Sequence, residues 1–397
     1  MALTGYIRSD GRKGIRNVLV VAYLVECAHH VAREITAHYR DRDVHLIGFP
    51  GCYPNEYSQR MMEALCTHPN VGGALLISLG CEAFNKSKLH KVVAASGRPV
   101  ETLVIQGVGG TGPTIEAGRA FIDKVLPALE AAKRAAMGVD ELVIGTVCGG
   151  SDGTSGITGN PAAGLAFDRL AAEGAACIFE ETGELIGCEH VMADRAATTD
   201  LAAELKGAVE KAAAYYARMG YGSFAPGNAD GGLTTIEEKS LGAYAKSGSG
   251  QIHGMLKPGD IPPVGGLYLL DVVPDGDPKF GFPNINDNAE IAELMACGAH
   301  LTYFVTGRGS VVGSAISPVI KICANPETYD RMSGDMDVNA GRILRGTPLA
   351  EVGTEIYDLT LAAAAGAQTK SEALGHREFI LTYKTFEPLG PACLPAA

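Results

Sequence analysis

Over the first third of the chain, short apolar runs alternate with longer segments of helical spacing. "NVLVVAYL" (17–24), "VHLIGF" (44–49), "GALLISL" (73–79) and "ETLVIQ" (101–106) have the length and composition of buried strands. Between and after them, "HHVAREITAHYR" (29–40), "EYSQRMMEALCTH" (56–68), "AFNKSKLHKVVAAS" (83–96) and "PTIEAGRAFIDKVLPALEAAKRAA" (113–136) carry helical periodicity. A polar turn at "MGVD" restarts the pattern with "ELVIGTV" (141–147). Farther on, "AACIFEE" (175–181), "GLYLLDVV" (266–273), "LTYFVT" (301–306) and "VIKIC" (319–323) read as strands. "LAFDRLAAEGA", "LAAELKGAVEKAAAYYARM" (201–219) and "NAEIAELMACG" (288–298) read as helices. Glycine- and proline-rich loops are expected at 223–235 and 273–284, and long loops in a compact chain usually serve a function.

Strands alternating with helices predict an α/β protein whose mainly parallel sheets are covered on both faces. At 397 residues the chain exceeds the size at which one core stops growing. The turn near Gly138 divides it into two Rossmann-like α/β domains, residues 1–138 and 139–397, with glycine-rich active-site loops in the second and an inter-domain cleft.

Composition narrows the picture by exclusion. A hydrophobic content of 46% and 51 glycines suit a close-packed enzyme. A net charge of −12 without a basic tract argues against nucleic acid or an anionic membrane surface as partner. No run of about 18 apolar residues occurs, and "MALTGYIRSDGRKGIRN" has no apolar signal core, so a cytoplasmic location is expected. There the ten cysteines should be reduced, and no CxxC pair marks a zinc ribbon.

Three of the cysteines share a placement. Cys52 follows "VHLIGFPG", Cys81 follows "ALLISLG" and Cys148 follows "LVIGTV", each at the carboxyl end of an expected strand, where open α/β sheets build their crevices. Three thiolates meeting there would hold zinc, copper(I) or an iron–sulfur cluster, with one position open to substrate. The plain alternative is that they are small buried residues. Other chemistry sits in glycine-rich stretches. "GTVCGGSDGTSGITGNPAAG" (145–164) carries Asp152, Ser155 and Asn160 on a bend whose glycines are expected to supply freedom in φ. "CIFEETGEL" ends a strand in Glu180 and Glu181. Lys239 lies in the expected loop "GNADGGLTTIEEKSLGAYAKSG", Arg308 in "TGRGSVVGSAISP", and Arg16 and Asn17 in "GRKGIRN". "GVGGTG" (107–112) matches the dinucleotide pattern but lacks an acidic residue ending the next strand, so its glycines are read as a turn into a helix. No histidine stands out as catalytic.

"GYIRSDGRKGIRN", "SLGCE", "CGGSDGTSGITGNPAAG", "GNADGGLTTIEEKSLGAYAKSG" and "TGRGS" resemble, in order, the signature segments of the altronate and galactarate dehydratase family. The resemblance implies a lyase that needs iron, as a [4Fe-4S]-type cluster with an open site or as mononuclear Fe2+, held by Cys52, Cys81 and Cys148. The implied substrate is an anionic 2-hydroxy acid that loses a proton from C2 and a leaving group from C3. "AYLVECAHHVAREI", "HLIGFPGCYPN", "GLYLLDVVPDG" and "HREFILTYKTFEPLGPACLP" resemble members that expel sulfite and leave pyruvate. "IGFPGCYPN" also lacks the histidine that sugar-acid dehydratases of the family tend to carry there. Lys239 is the expected general base and Glu181 the second choice. Arg16 and Arg308 would pair with the substrate oxyanions, while Asn17, Asp152, Ser155 and Asn160 orient the substrate. Single-chain members carry a small domain ahead of the "GYIRSDGRKGIRN" segment, which here begins at Gly5. A separate small subunit, and hence a hetero-oligomer, is therefore expected. A sugar-acid dehydratase is the near alternative and a non-catalytic binding subunit the distant one.

Overall fold

The computed structural model describes residues 3–220, 226–276 and 286–384. The loops expected at 223–235 and 273–284 lie partly outside these residues, and so does the tail beyond 384. The chain divides into two compact units. The smaller holds residues 6–134 and 379–384; the larger holds residues 3–5, 135–220, 226–276 and 286–378.

The chain begins with β1 (Leu3–Ile7) and β2 (Lys13–Gly14), an antiparallel pair with Tyr6 opposite Gly14. There follow β3 (Val18–Tyr23), α1 (Glu26–Ala37), β4 (Val44–Gly48), α2 (Glu56–Cys66), β5 (Val71–Ser78), α3 (Lys86–Ala95) and β6 (Val100–Val104). The strands form a parallel sheet in the order β4-β3-β5-β6. Leu19, Val21, Leu75 and Ile77 of this sheet pack with Val31, Ile35, Ile122 and Leu126, the last two from α5 (Thr111–Glu130). Between the short α4 (Ile105–Val108) and α5, Gly109 and Gly110 take φ values of 110° and 99°. Side chains resist that region, so the "GVGGTG" glycines do make a turn.

Helix α5 ends at Glu130, short of the helix expected through Ala136. Arg134–Met137 instead forms β7, the neighbour of β1, and the Arg134 guanidinium lies 5.4 Å from the Tyr6 ring. Alanine's helix propensity is a weak preference that strand pairing overrides here.

The larger unit continues with β8 (Val143–Cys148), α6 (Gly159–Ala172), β9 (Ala176–Phe179), α7 (Glu189–Ala193), α8 (Thr199–Met219), α9 (Pro226–Asp230) and α10 (Ile236–Tyr244). Then come β10 (Ile252–Leu256), β11 (Gly266–Leu270), α11 (Asp287–Ala296), β12 (Leu301–Thr306) and β13 (Val319–Cys323). The last elements are α12 (Pro326–Met332), β14 (Val338–Asn339), α13 (Leu349–Ala365) and α14 (Lys370–Leu374). All seven strands are parallel, in the order β10-β11-β9-β8-β12-β13-β14. Every residue of β12 is buried. Its Tyr303 packs 5.4 Å from Phe167 of α6 and shares a 2.5 Å hydrogen bond with Thr360 of α13.

This connectivity places the chemistry. Strand order reverses between β8 and β12, and in the smaller unit between β3 and β5. Open α/β sheets bind ligands outside the carboxyl ends of their strands at such points. Cys148 ends β8, and the loops after β8 and β12 carry Asp152 and Arg308. Among the described residues, no helix is long and apolar enough to cross a membrane.

A capping box fixes the exit of the Cys52 bend into α2. Asn55 Oδ1 accepts from Ser58 N at 2.8 Å, and Ser58 Oγ accepts from Asn55 N at 3.0 Å. Asn55→Ala is expected to lower the unfolding free energy by about 1 kcal/mol. An unmoved midpoint in urea denaturation would show that the box contributes nothing.

Candidate active site

Cys148 is buried at the end of β8, where the glycine-rich loop starts. The expectation that its glycines supply free φ is not met: none of Gly149, Gly150, Gly153, Gly156, Gly159 and Gly164 has a left-handed φ. They supply room instead. A Cβ on Gly149 would lie 2.3 Å from the Phe304 ring, one on Gly156 2.8 Å from Gly242 Cα, and one on Gly164 2.3 Å from the Ala245 carbonyl oxygen. The loop and α6 are thus pressed against β12 and the end of α10.

Asp152 organises the loop. Its Oδ1 accepts from Thr154 N (2.9 Å), Thr154 Oγ1 (2.6 Å) and Ser155 Oγ (3.2 Å), and its Oδ2 accepts from Asn325 Nδ2 (2.9 Å). Asn325 in turn caps α12, its Oδ1 accepting from Glu327 N at 2.9 Å and Thr328 N at 3.3 Å. After β12, Arg308 N donates to Gly150 O at 3.1 Å. A Cβ on Gly307 would meet Asp152 Cγ at 2.2 Å, so "TGRGS" and the glycine-rich loop are cut to each other's shape.

Asp152, Ser155 and Asn160 line a cavity of about 260 Å³ together with Glu238 and Lys239. Asn160 Nδ2 donates to Gly242 O at 2.9 Å, while its buried Oδ1 has no hydrogen-bond partner. Lys239 sits on α10, a helix where a polar loop was expected. Thr235 starts it by accepting from Glu238 N at 3.2 Å, and Glu237 and Glu238 suit the positive end of the helix dipole. That Thr-x-x-Glu spacing was a readable helix signal. The Lys239 ammonium is 4% exposed as a residue and pairs with Glu184. Burial pushes its pKa down, against the opposing pull of Cys148, Glu290 and Asp287.

Glu181 is buried and is the one non-glycine residue with a positive φ, 84°, among the described residues. Its carboxylate pairs with the buried Lys246, whose Nζ also donates to Cys148 Sγ at 2.8 Å. Cys148, Glu181 and Glu184 offer ligand atoms within 4.8 Å of one another, and so do Glu180, Glu181 and Glu290. A thiol with carboxylates suits a borderline ion such as Fe2+, so these residues fit iron. Burial also raises the Asp287 carboxyl, against the pull of Lys239 and Lys246.

The remaining expected residues lie as follows. Arg308 is exposed, with Nη1 donating to Gly227 O at 3.2 Å. In the smaller unit, Arg16 Nη1 donates to Ile15 O at 3.1 Å, and Asn17 Nδ2 donates to Leu129 O at 2.7 Å, tying β3 to the end of α5. Cys52 and Cys81 are exposed in the bends after β4 and β5, which are joined by a 2.9 Å bond from Ala83 N to Cys52 O. Sequence reasoning missed Lys246, Glu184, Glu290 and Asn325. Lys246 carries no signal, since lysines by type stay exposed. Glu290 did carry one. Helix α11 is buried from Ala289 through Ala296, and a helix apolar on all sides takes its glutamates inside with it.

With this site at the switch point of a parallel α/β sheet, the comparisons with known proteins agree on one class. Residues 139–386 match the family described as D-galactarate/Altronate dehydratase, C-terminal, and residues 5–130 match D-galactarate dehydratase/Altronate hydrolase, second domain. The chain belongs to the galactarate/altronate dehydratase family and, like its relatives, is a lyase. The (2R)-sulfolactate sulfo-lyase subunit beta of Chromohalobacter salexigens is 34% identical over 393 residues, covering 95% of this chain and 96% of that one. Altronate dehydratase of Bacillus subtilis is 30% identical over 354 residues, covering 85% of this chain and 68% of that one. Galactarate dehydratase (L-threo-forming) of Escherichia coli is 32% identical over 321 residues, covering 77% and 59%.

Gly307→Ala would push a methyl group into a carboxylate already held by Thr154, Ser155 and Asn325. A loss of about 1–3 kcal/mol of stability is expected. Gly334→Ala, whose Cβ would meet nothing within 4 Å, is the control. Equal denaturation midpoints for the two variants would refute the tight fit.

Proposed function

We propose that this chain is the catalytic large subunit of an iron-dependent carbon–sulfur lyase that eliminates sulfite from (2R)-3-sulfolactate and leaves pyruvate. The observation that carries the elimination chemistry is Lys239, buried at the cavity beside the unpartnered Asn160 Oδ1, with burial drawing its pKa down. A lysine must be a free amine to accept a proton, and burial favours that form. Sulfite as the leaving group is supported by 34% identity across 95% of this chain to a sulfo-lyase subunit. The same relative's name, subunit beta, supports a partner subunit and hence a hetero-oligomer; we assign that partner the small domain expected from the sequence.

The Lys239 amine takes the proton from C2. The released electron pair forms the C2=C3 double bond, the C3–S bond breaks, and sulfite leaves with that bond's electrons. The enol then gains a proton at C3, gives up the proton of its 2-hydroxyl and becomes pyruvate. Glu184 holds the ammonium that Lys239 becomes, Asn160 Oδ1 accepts from the 2-hydroxyl, and Ser155 borders the substrate. Arg308 is the candidate of the larger unit for a substrate oxyanion, and Arg16 with Asn17 the candidates of the smaller unit. Glu181 is the second candidate base. Iron, for which Cys148 beside Glu181 and Glu184 is the candidate donor set in the larger unit and Cys52 and Cys81 are candidate thiolates in the smaller, would supply Lewis-acid stabilisation of the charge that builds on the carboxylate. A sugar-acid hydro-lyase is the second reading, favoured by both family descriptions and by the altronate and galactarate dehydratase relatives.

Anaerobically purified enzyme, with any co-purifying small subunit, is expected to contain iron and to release sulfite and pyruvate in equal amounts from (2R)-sulfolactate. Acid-labile sulfide matching the iron would identify a cluster, and iron without sulfide a single ion. A 2-keto-3-deoxy acid formed from altronate or galactarate, with no sulfite from sulfolactate, would hand the function to the second reading. Lys239→Met should cut kcat by about a hundredfold or more. For the unsubstituted enzyme, kcat should rise with pH as Lys239 loses its proton, with a midpoint below the usual lysine range because burial lowers that pKa. A flat profile with an active Lys239→Met would remove Lys239 from the mechanism.

A further inference from the structure

We propose that Asn325 is a positioning residue for the substrate pocket, acting through Asp152; the proposal rests on the reading that the 260 Å³ cavity takes the substrate. Asp152 is 6% exposed, and both of its carboxylate oxygens are engaged by neighbouring donors. It therefore shapes the cavity wall, and the donor that fixes its Oδ2 is Asn325 Nδ2 at 2.9 Å.

The Asn325 amide has one orientation that satisfies its surroundings. Its Oδ1 is committed to Glu327 N and Thr328 N at the start of α12, which leaves Nδ2 to face Asp152. The preceding residue grips the other end of the same loop, because Thr158 Oγ1 donates to Ala324 O at 2.8 Å. Ala324 N also donates to Thr306 O at 2.8 Å at the end of β12. The junction of β13 and α12 thus holds the loop at Asp152 and at Thr158. Between these two anchors lie Ser155, Gly156 and Ile157, all of which line the cavity.

Asn325→Asp separates the two duties of this side chain. Aspartate caps a helix as well as asparagine does, but here it replaces a donor with a second carboxylate facing Asp152. The exchanged pair, Asp152→Asn with Asn325→Asp, restores one amide and one carboxylate and keeps an acceptor for Thr154 and Ser155. Asn325→Asp alone is expected to lower kcat/KM by about tenfold to a hundredfold, the scale of coupling between hydrogen-bonded neighbours, and the exchanged pair to recover most of it. Amide hydrogen exchange across residues 149–158 should accelerate in the single variant and slow again in the pair. A pair no better than the single variant, or exchange in this loop unchanged by Asn325→Asp, overturns the proposal. Full turnover by Lys239→Met in the same assay would instead remove Lys239 from the mechanism and leave the positioning to the exchange measurement, which decides it whatever the pocket binds.

Discussion

Lys239 and Lys246 can be kept from water only because acidic groups close around them. An unpaired buried charge is among the most costly features a fold can carry. Lys239 is matched by Glu184, and Lys246 by Glu181 with Cys148 alongside. Removing one member of such a pair costs about 3–5 kcal/mol because the other is left stranded. Much of the larger unit's local geometry follows from keeping these pairs together. Strands β8 and β9 are neighbours with Thr146 opposite Phe179, so Cys148 and Glu181 leave the sheet side by side. The left-handed backbone at Glu181 and the close seating of α10 against the glycine-rich loop bring the lysines to them.

The parts of this arrangement legible in the sequence are those that depend on local pattern. The strand runs were short, apolar and bounded by turn residues, and the strands formed where that pattern placed them. Their carboxyl ends pointed to Cys148, Asp152 and Arg308 without any knowledge of the sheet order. Lys239 was singled out for its glycine-flanked company, although its helix went unread despite a Thr-x-x-Glu start. The parts that failed depend on partners distant in sequence. The alanine-rich stretch before Met137 forms a strand because β1 lies beside it, which no local propensity reveals. Lys246 is buried because Glu181 and Cys148 await it 65 and 98 positions away. Asn325 went unread because the bond that matters, to Asp152, reaches a residue 173 positions earlier.

The glycines of the opening loop show how one composition can support two physical arguments. Seven glycines in twenty residues suggested a bend that needs unusual φ angles, whereas the structure uses them as vacant space. Gly109 and Gly110 do carry the unusual angles, in a segment whose pattern looked like a cofactor fingerprint. Counting glycines could not separate the two uses. Only the neighbours of each Cα do.

Where Gly156 meets Gly242, main chain lies directly on main chain, with no side chain between them to shrink or grow. Such a seam cannot be widened by degrees: its walls are peptide units, and their spacing is already at van der Waals limits. Inheritance of a new substrate preference would therefore leave this seam alone and act on the rim, where Ile157 and Leu241 are 59% and 56% exposed and border the same cavity. The main chain sets the floor of the cavity, and the side chains at its lip are the ones that can change size without moving that floor.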